Sequence, residues 1–133
     1  MMSDRVTANY WQTYLDRHPL RTFRSGEIIV FQGEAPQSAY VVKEGIVKAY
    51  NLSVGGDEKP IDFYGTGAIF PDTWVYGKVG SAIYYYEAFT SEVSVFMIDR
   101  DDLVAFVRSH PELLIRELDR SLNNQLGMSM RLN

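Results

Sequence analysis

Residues 26–50 constrain the fold more than any other part of this 133-residue chain. Short apolar runs alternate there with glycine turns: Gly26 opens the segment, Gly33 interrupts it, and Gly45 closes the turn after the apolar run at 40–42. Runs of β-branched and aromatic residues bounded by turn residues are typical of β-strands. The segment therefore predicts short strands joined by tight turns.

The same pattern continues as far as Ile98. Runs rich in Val, Ile, Tyr and Phe predict six strands, at Glu27–Phe31, Tyr40–Val42, Ile46–Leu52, Pro60–Tyr64, Ser81–Phe89 and Val93–Ile98. The paired glycines within Val54–Asp57 predict a hairpin tip, because glycine adopts positive φ at little cost. Many short strands at regular spacing predict a sandwich or a jelly roll.

Helical patterns flank the β region on both sides. Apolar residues recur every three or four positions over residues 4–17, and Pro19 ends this pattern. Asp99 is a predicted N-cap, with Asp101 and Asp102 in the first turn, where the helix dipole favours acidic side chains. Pro111 is suited to the first turn of a further helix. We expect one domain, with helix in 1–20, a β roll in 21–98 and helices in 99–133.

Composition limits the possible functions. The net charge is −4 and the basic residues are scattered, so we do not expect this chain itself to grip nucleic acid. The absence of cysteine excludes disulfides, thiolate catalysis and cysteine–zinc sites. No apolar run is long enough to cross a bilayer, and the first residues lack the pattern of a signal peptide. We therefore predict a cytoplasmic protein without a membrane partner.

Four segments in this order resemble a known family. They are 23–29, 31–45, 65–70 and 98–113. Together they resemble the cyclic-nucleotide-binding domain of the Crp–Fnr family of bacterial transcription regulators. The resemblance implies a mainly β fold, a double-stranded β-helix (jelly roll), with a short N-terminal helix and a long C-terminal dimerisation helix. It also implies a helix-turn-helix DNA-binding domain after residue 133. The helical pattern is still running at Asn133, which favours a chain cut from a longer protein.

A leucine stripe in residues 112–132 has two interpretations. Its members, with the polar residues that interrupt it, are Leu114, Leu118, Leu122, Gln125, Leu126 and Ser129. The stripe could pack on the chain's own β roll, or it could form the seam of a homodimer. We favour the dimer seam, because the stripe is long for one small partner and polar seam positions can fix the register.

The nucleotide cassette of the family is altered in this sequence. In the family, backbone N–H groups at a short helix start and an arginine hold the phosphate, and a glutamate after a glycine holds the ribose. Alignment on Gly67 places Phe70-Pro71 at the Gly-Glu position, with Asp72 one residue later as a possible substitute acid. Counting back from Ala88 places Ala82-Ile83 at the position of the Arg-Ser pair.

The sequence has no arginine between Arg24 and Arg100. Each lost charged hydrogen bond to a buried phosphate costs about 1.5–3 kcal/mol. We therefore predict that cAMP and cGMP bind very weakly or not at all.

Aromatic residues occupy much of the altered cassette. The hypothetical ligand-binding residues are Phe70, Pro71, Asp72, Thr73, Trp74, Ala82, Ile83, Tyr84 and Tyr85. Strand alternation puts Tyr84 and Tyr86 on one face and Tyr85 on the other. The cassette could form an apolar pocket for a flat organic effector, or these side chains could close the roll. Both interpretations stay open at this point, with a slight preference for the closed roll.

An enzyme is the least favoured class. Cupins share the roll, but their metal needs several facing histidines and a glutamate. This chain has only His18 and His110, both expected on or beside helices. We therefore predict no catalytic site, no metal and no cofactor.

The predicted function is the effector-sensing and dimerisation domain of a Crp–Fnr-type transcription regulator. We expect a homodimer, a possible small-molecule effector, and contact with DNA only through a domain outside this chain. A ligand-free structural or dimerisation module is the alternative, and a cupin-like enzyme comes last.

Overall fold

The architecture comes from a computed structural model, which describes residues 4–77, 79–116 and 119, with side chains from Tyr10 onward. In chain order its elements are α1 (Asp4–Leu15), β1 (Leu20–Arg24), β2 (Ile28–Val30), β3 (Ala39–Glu44), β4 (Val47–Leu52), β5 (Glu58–Tyr64), β6 (Ile69–Phe70), α2 (Asp72–Tyr76), β7 (Tyr85–Ala88), β8 (Glu92–Ile98) and α3 (Arg100–Arg108). Residues 111–116 are also helical.

The eight strands form two antiparallel sheets of four strands each. The first sheet has the order β1-β8-β3-β6, and the second has the order β2-β7-β4-β5. Val41 pairs with Phe96 at the centre of the first sheet, and Ala49 pairs with Tyr86 at the centre of the second. The prediction of a mainly β chain with a jelly-roll arrangement is confirmed in these two sheets.

The two central strands of the first sheet, β3 and β8, are buried on both faces. The inner face of this sheet meets the second sheet across the interior of the roll, and its outer face meets the helices. Side chains of adjacent residues in β3 point to opposite faces of the sheet, because strand side chains alternate. Val42 therefore packs in the interior of the roll, and Val41 packs in the core between the sheet and the helices, the helix-facing core. This explains why β3 reads as a continuous apolar run.

The predicted elements are present with changed bounds, and three elements were not predicted. The strand predicted at Ser81–Phe89 is shorter, because Ala82 exchanges backbone hydrogen bonds with Gly33 and Glu34 in a loop instead of joining the sheet. Strand β1 is an edge strand in which only Phe23 is buried, so it shows no alternation of apolar residues. Strand β6 has two residues and α2 has five, which is too short for a periodic signal.

The predicted helix termini are confirmed by specific hydrogen bonds. The Asp99 carboxylate accepts the backbone N–H of Asp102 at 3.1 Å and caps α3. At the other end of α3, the Nδ1–H of His110 donates to the Phe106 carbonyl at 2.9 Å. His110 is therefore a turn residue whose side chain satisfies a carbonyl at the end of α3.

The predicted dimerisation helix is described only at its start. Leu113 is buried against the helix-facing core, whereas Leu114 and Ile115 are exposed. Leu118, Leu122, Gln125, Leu126 and Ser129 lie outside the described residues. None of the helices in the described part of the chain has the length and apolar character needed to span a bilayer.

Two glycines with positive φ allow a test of this topology. Gly45, with φ of +86°, follows β3, and a Cβ there would overlap the Glu92 carbonyl oxygen and lie 2.7 Å from the Thr90 hydroxyl. Gly33, with φ of +90°, has nothing within 4 Å of the same position. Gly33→Ala therefore suffers only backbone strain, about 1–2 kcal/mol. Gly45→Ala must also displace backbone, and we expect it to cost at least roughly 2 kcal/mol more in the free energy of unfolding.

Urea denaturation of the two variants measures this difference. Equal losses of stability would show that the β3–β4 turn does not lie against the Thr90–Glu92 segment.

Candidate functional site

The interior of the roll beside α2 is filled by aromatic rings. The Phe70 ring lies 5.2 Å from that of Tyr40, 5.4 Å from that of Tyr86 and 5.8 Å from that of Tyr64, measured between centroids. Phe70 and Tyr86 are 0% exposed and Tyr64 is 2% exposed. These four rings, the aromatic stack, occupy the interior between the two sheets where α2 begins.

Polar groups meet the aromatic stack under the first turn of α2. The Tyr64 hydroxyl donates to Asp72 Oδ1 at 3.1 Å, and the same oxygen accepts the backbone N–H of Thr73 at 3.0 Å. The hydroxyls of Tyr86 and Thr73 are buried close to each other without reaching hydrogen-bond geometry. Burial, and then the negative charge of Asp72, raise the pKa of Tyr86, so its phenol is neutral.

The start of α2 is poorly suited to an anion. Helix N-termini bind phosphate through free N–H groups and the positive end of the dipole. Pro71 has no N–H group, and the N–H of Thr73 is taken by the Asp72 carboxylate. The N–H groups of Trp74 and Val75 donate to the Pro71 carbonyl within the turn. Asp72 therefore places a negative charge where a bound phosphate would need a positive one.

A cation does contact α2, but at its other end. Arg100 Nη2 donates to the Gly77 carbonyl at 2.8 Å, and its guanidinium lies 5.1 Å from the centre of the Trp74 ring. A positive charge at a helix C-terminus is favoured by the dipole. Arg100 thus supports the end of α2 from the helix side and not from the interior of the roll.

The predicted ligand-binding residues are separated into several environments. Phe70 and Ala82 are in the interior core, and Tyr84 packs against it with its ring 6.4 Å from that of Tyr86. Trp74 is buried in the helix-facing core instead, because α2 turns its side chain outward. The remaining members lie at the start of α2, in the bend before β7, or on the outer face of the second sheet: Pro71, Asp72, Thr73, Ile83 and Tyr85.

Tyr85 belongs to a surface network and not to the interior. Its ring stacks on that of Tyr50 at 5.3 Å, and the Tyr50 hydroxyl donates to Glu87 at 3.3 Å. Lys48 completes the network with ion pairs to Glu58 at 2.8 Å and to Glu87 at 3.6 Å. The prediction that Tyr84 and Tyr86 lie on one face and Tyr85 on the other is confirmed. Tyr85 therefore does not face the interior of the roll.

Sequence reasoning did not assign Tyr40 and Tyr64 to the site. Tyr64 ends a predicted strand, and its burial alternates with that of Phe63, so it was recognisable as an inward-facing residue. The sequence does not show that strands β3, β5 and β7 place their tyrosines around Phe70. That arrangement depends on pairing between strands distant in the chain.

The sequence matches a known protein family over most of its length. Residues 20–110 match the family model of the cyclic nucleotide-binding domain. The chain belongs to this family. Its members are binding domains and not enzymes, and in residues 4–77, 79–116 and 119 no group of three or more His, Asp or Glu side chains is placed to hold a metal ion. No curated protein matches the sequence significantly.

Solved structures with this fold include transcription regulators. The catabolite activator protein of Thermus thermophilus is 24% identical, with a TM-score of 0.63 over 89% of this chain and 54% of that one. A transcriptional regulator from Thermotoga maritima is 19% identical, with a TM-score of 0.68 over 91% of this chain and 93% of that one. Oxidized CprK in complex with o-chlorophenolacetic acid is 18% identical, with a TM-score of 0.60 over 92% and 49%.

The similarity to these three structures shows that the chain has the same fold as they do. The chain spans about half the length of the catabolite activator protein. The prediction of a cyclic-nucleotide-binding domain is confirmed, and the chain shares its fold with regulators of the CRP type.

Two phenylalanine substitutions separate the roles of the buried phenols. Tyr64→Phe removes a hydrogen bond to a carboxylate, and we expect a loss of about 1.5–3 kcal/mol in the free energy of unfolding. Tyr86→Phe removes a buried hydroxyl that lies near those of Tyr64 and Thr73 but outside hydrogen-bond geometry, so we expect a change of at most about 1 kcal/mol.

Urea denaturation of each variant and of the double variant gives both values and their coupling. A loss in Tyr86→Phe as large as that in Tyr64→Phe would contradict the assignment of the Tyr86 hydroxyl as unpaired.

Proposed function

We propose that this chain is the sensing and dimerisation domain of a CRP-type transcription regulator, and that its cassette no longer binds cyclic nucleotides. The observation that carries the proposal is the aromatic stack. Phe70, Tyr64 and Tyr86 fill the interior of the roll beside α2 with the chain's own side chains. A nucleotide would have to displace rings that are close-packed and buried.

Electrostatics support the same conclusion. A buried phosphate needs a cation, and the sequence has no arginine between Arg24 and Arg100. The Asp72 carboxylate at the start of α2 adds repulsion in a site of low dielectric constant. Two missing charged contacts at about 1.5–3 kcal/mol each weaken binding by roughly 10²- to 10⁴-fold.

The alternative is a module that senses no small molecule in the roll. Oxidized CprK, which shares this fold, was solved with o-chlorophenolacetic acid, so a protein of this fold accepts an organic acid. In the present chain the Phe70 and Tyr86 rings already fill the interior, which favours a rigid platform controlled from outside the roll. Regulation would then reach DNA through a domain outside this chain.

Dimerisation is supported by the start of the C-terminal helix. Leu113 packs against the helix-facing core, while Leu114 and Ile115 on other sides of the same turn are exposed at 41% and 62%. A helix that is apolar on more than one side needs a second partner. We assign that partner to the same helix of a second copy, with the seam continuing through the leucines of 118–126.

Thermal unfolding tests the nucleotide part of the proposal. A ligand present at 100 times its Kd stabilises a protein by about 2.7 kcal/mol, which raises the Tm of a domain of this size by several degrees. We expect no change in Tm with millimolar cAMP or cGMP, and no heat of binding in calorimetry.

Adenosine is the control for binding of the base alone. A Tm rise of several degrees with cAMP but not with adenosine would overturn the loss of the cassette.

Substitution of one predicted seam residue tests the dimer. Leu118→Glu would bury a charge in the seam, and we expect it to raise the dimer Kd by roughly 100-fold or more, measured by sedimentation velocity. The matched control is Leu52→Glu, at an exposed end of β4, which should leave the dimer unchanged. A monomeric parent chain, or equal effects of the two variants, would reject the seam.

A further inference from the structure

A cavity of about 290 Å³ lies outside the roll, in the layer between the first sheet and the helices. Leu15 of α1, Phe96 of β8 and Leu113 of the 111–116 segment line it from three sides. It is therefore separate from the aromatic stack and from the family's cassette. We call it the helix-layer cavity.

One part of the wall of the helix-layer cavity is deeply buried and apolar. Leu15, Ile69 and Phe96 belong to the helix-facing core and are nearly inaccessible to solvent. The turn at Thr66–Gly67 forms another side, and a Cβ placed on Gly67 would meet no atom within 4 Å. The core between α1 and the sheet is thus incompletely filled at this point, in contrast to the interior of the roll.

The mouth of the cavity is polar and carries one positive charge. Arg116 and Gln12 are exposed side chains among its lining residues. Arg116 makes no ion pair with a carboxylate in the part of the chain that the structure describes. Asp16 is close to Gln12 in the chain and Glu112 is close to Arg116, and neither acid lines the cavity. Asp16 accepts a hydrogen bond from Gln12 Nε2 at 2.7 Å, and Glu112, four residues before Arg116, has a buried carboxylate oxygen without a hydrogen-bond partner. The guanidinium is therefore available, and its planar fork matches a carboxylate.

We propose that the helix-layer cavity binds a small amphiphilic carboxylate, with its apolar tail between Leu15 and Phe96 and its head group on Arg116. A water molecule, which has one non-hydrogen atom, occupies about 30 Å³. A cavity of about 290 Å³ therefore has room for a ligand of roughly ten non-hydrogen atoms. A medium-chain fatty acid such as octanoate has this size and this chemistry. Pockets of this kind are mostly apolar, with a few polar groups that orient the ligand.

This site does not depend on the proposed loss of nucleotide binding, because the two sites share no cavity. A ligand bound in the helix-layer cavity would contact the helical segment 111–116 directly. Leu113 and Arg116 both belong to the helical segment that leads into the proposed dimer seam, and both line the cavity. A bound carboxylate therefore ties that segment to α1 and to the first sheet.

A second cavity of about 580 Å³ between α2 and α3 provides the control. Its walls combine the buried Val75 and Val107 with exposed side chains. Asp101 also lines this second cavity, and its carboxylate disfavours an anionic ligand there. Arg100 in this second cavity already donates to the Gly77 carbonyl, but Arg108 in the last turn of α3 is an exposed arginine comparable to Arg116.

The test is a titration of the 133-residue chain with octanoate. The chain has two tryptophans, and Trp11 lines the cavity whereas Trp74 does not. In Trp74→Phe the fluorescence reports Trp11 alone, and we expect a saturable change. In the same background, Arg116→Gln should weaken octanoate binding by roughly 10- to 100-fold, and Arg108→Gln should leave it unchanged. Octanol, which has the same chain without the charge, should bind about as weakly to the parent as octanoate binds to Arg116→Gln.

Three results would overturn the proposal. They are the absence of a saturable response up to the solubility limit of octanoate, equal effects of Arg116→Gln and Arg108→Gln, and equal affinities for octanoate and octanol. If Trp74→Phe does not fold, the indole N–H resonances of the unmodified chain give the same comparison by NMR. If the chain bound both cAMP and octanoate, the carboxylate site would be supported, and only the proposed loss of nucleotide binding would be rejected.

Discussion

Burial of both faces of the first sheet at its two central strands is the constraint on which the rest of the structure depends. Strands β3 and β8 supply the interior of the roll with one set of side chains and the helix-facing core with the other. Val41 and Val42 therefore belong to different cores although they are neighbours in the chain. Because side chains alternate strictly, a shift of register by one residue would exchange the two sets and disrupt both cores. The positions of α1, α2 and α3 all follow from this sheet.

The two cores are filled in different ways. In the interior, the Phe70 ring lies within 5.8 Å of three tyrosine rings, and Asp72 closes the start of α2 with its own carboxylate. In the helix layer, the large side chains of α1 and β8 leave a cavity beside Gly67. The helix-layer cavity thus lies on the opposite side of the first sheet from the aromatic stack.

The sequence predicted most of the fold, because local signals in this chain agree with its tertiary structure. Runs of β-branched and aromatic residues marked six strands, Asp99 marked a helix start, and the alternation of Tyr84 to Tyr86 was correctly assigned to two faces. The site was less predictable, since the residues around Phe70 come from strands far apart in the chain. Trp74 was grouped with Phe70 by proximity in sequence, but one turn of helix α2 carries it to the opposite side of the sheet.

The helical segment 111–116 connects these observations. Leu113 anchors it to the helix-facing core, Arg116 stands at the mouth of the cavity, and Ile115 is exposed. A change in the packing of α1 against the first sheet would therefore move the segment that carries the exposed Leu114 and Ile115. Because the interior of the roll is already filled, movement of this layer requires less repacking than movement of the aromatic stack. In the proposed dimer, a ligand in the helix-layer cavity would consequently have the mechanically simpler route to the second copy of the chain.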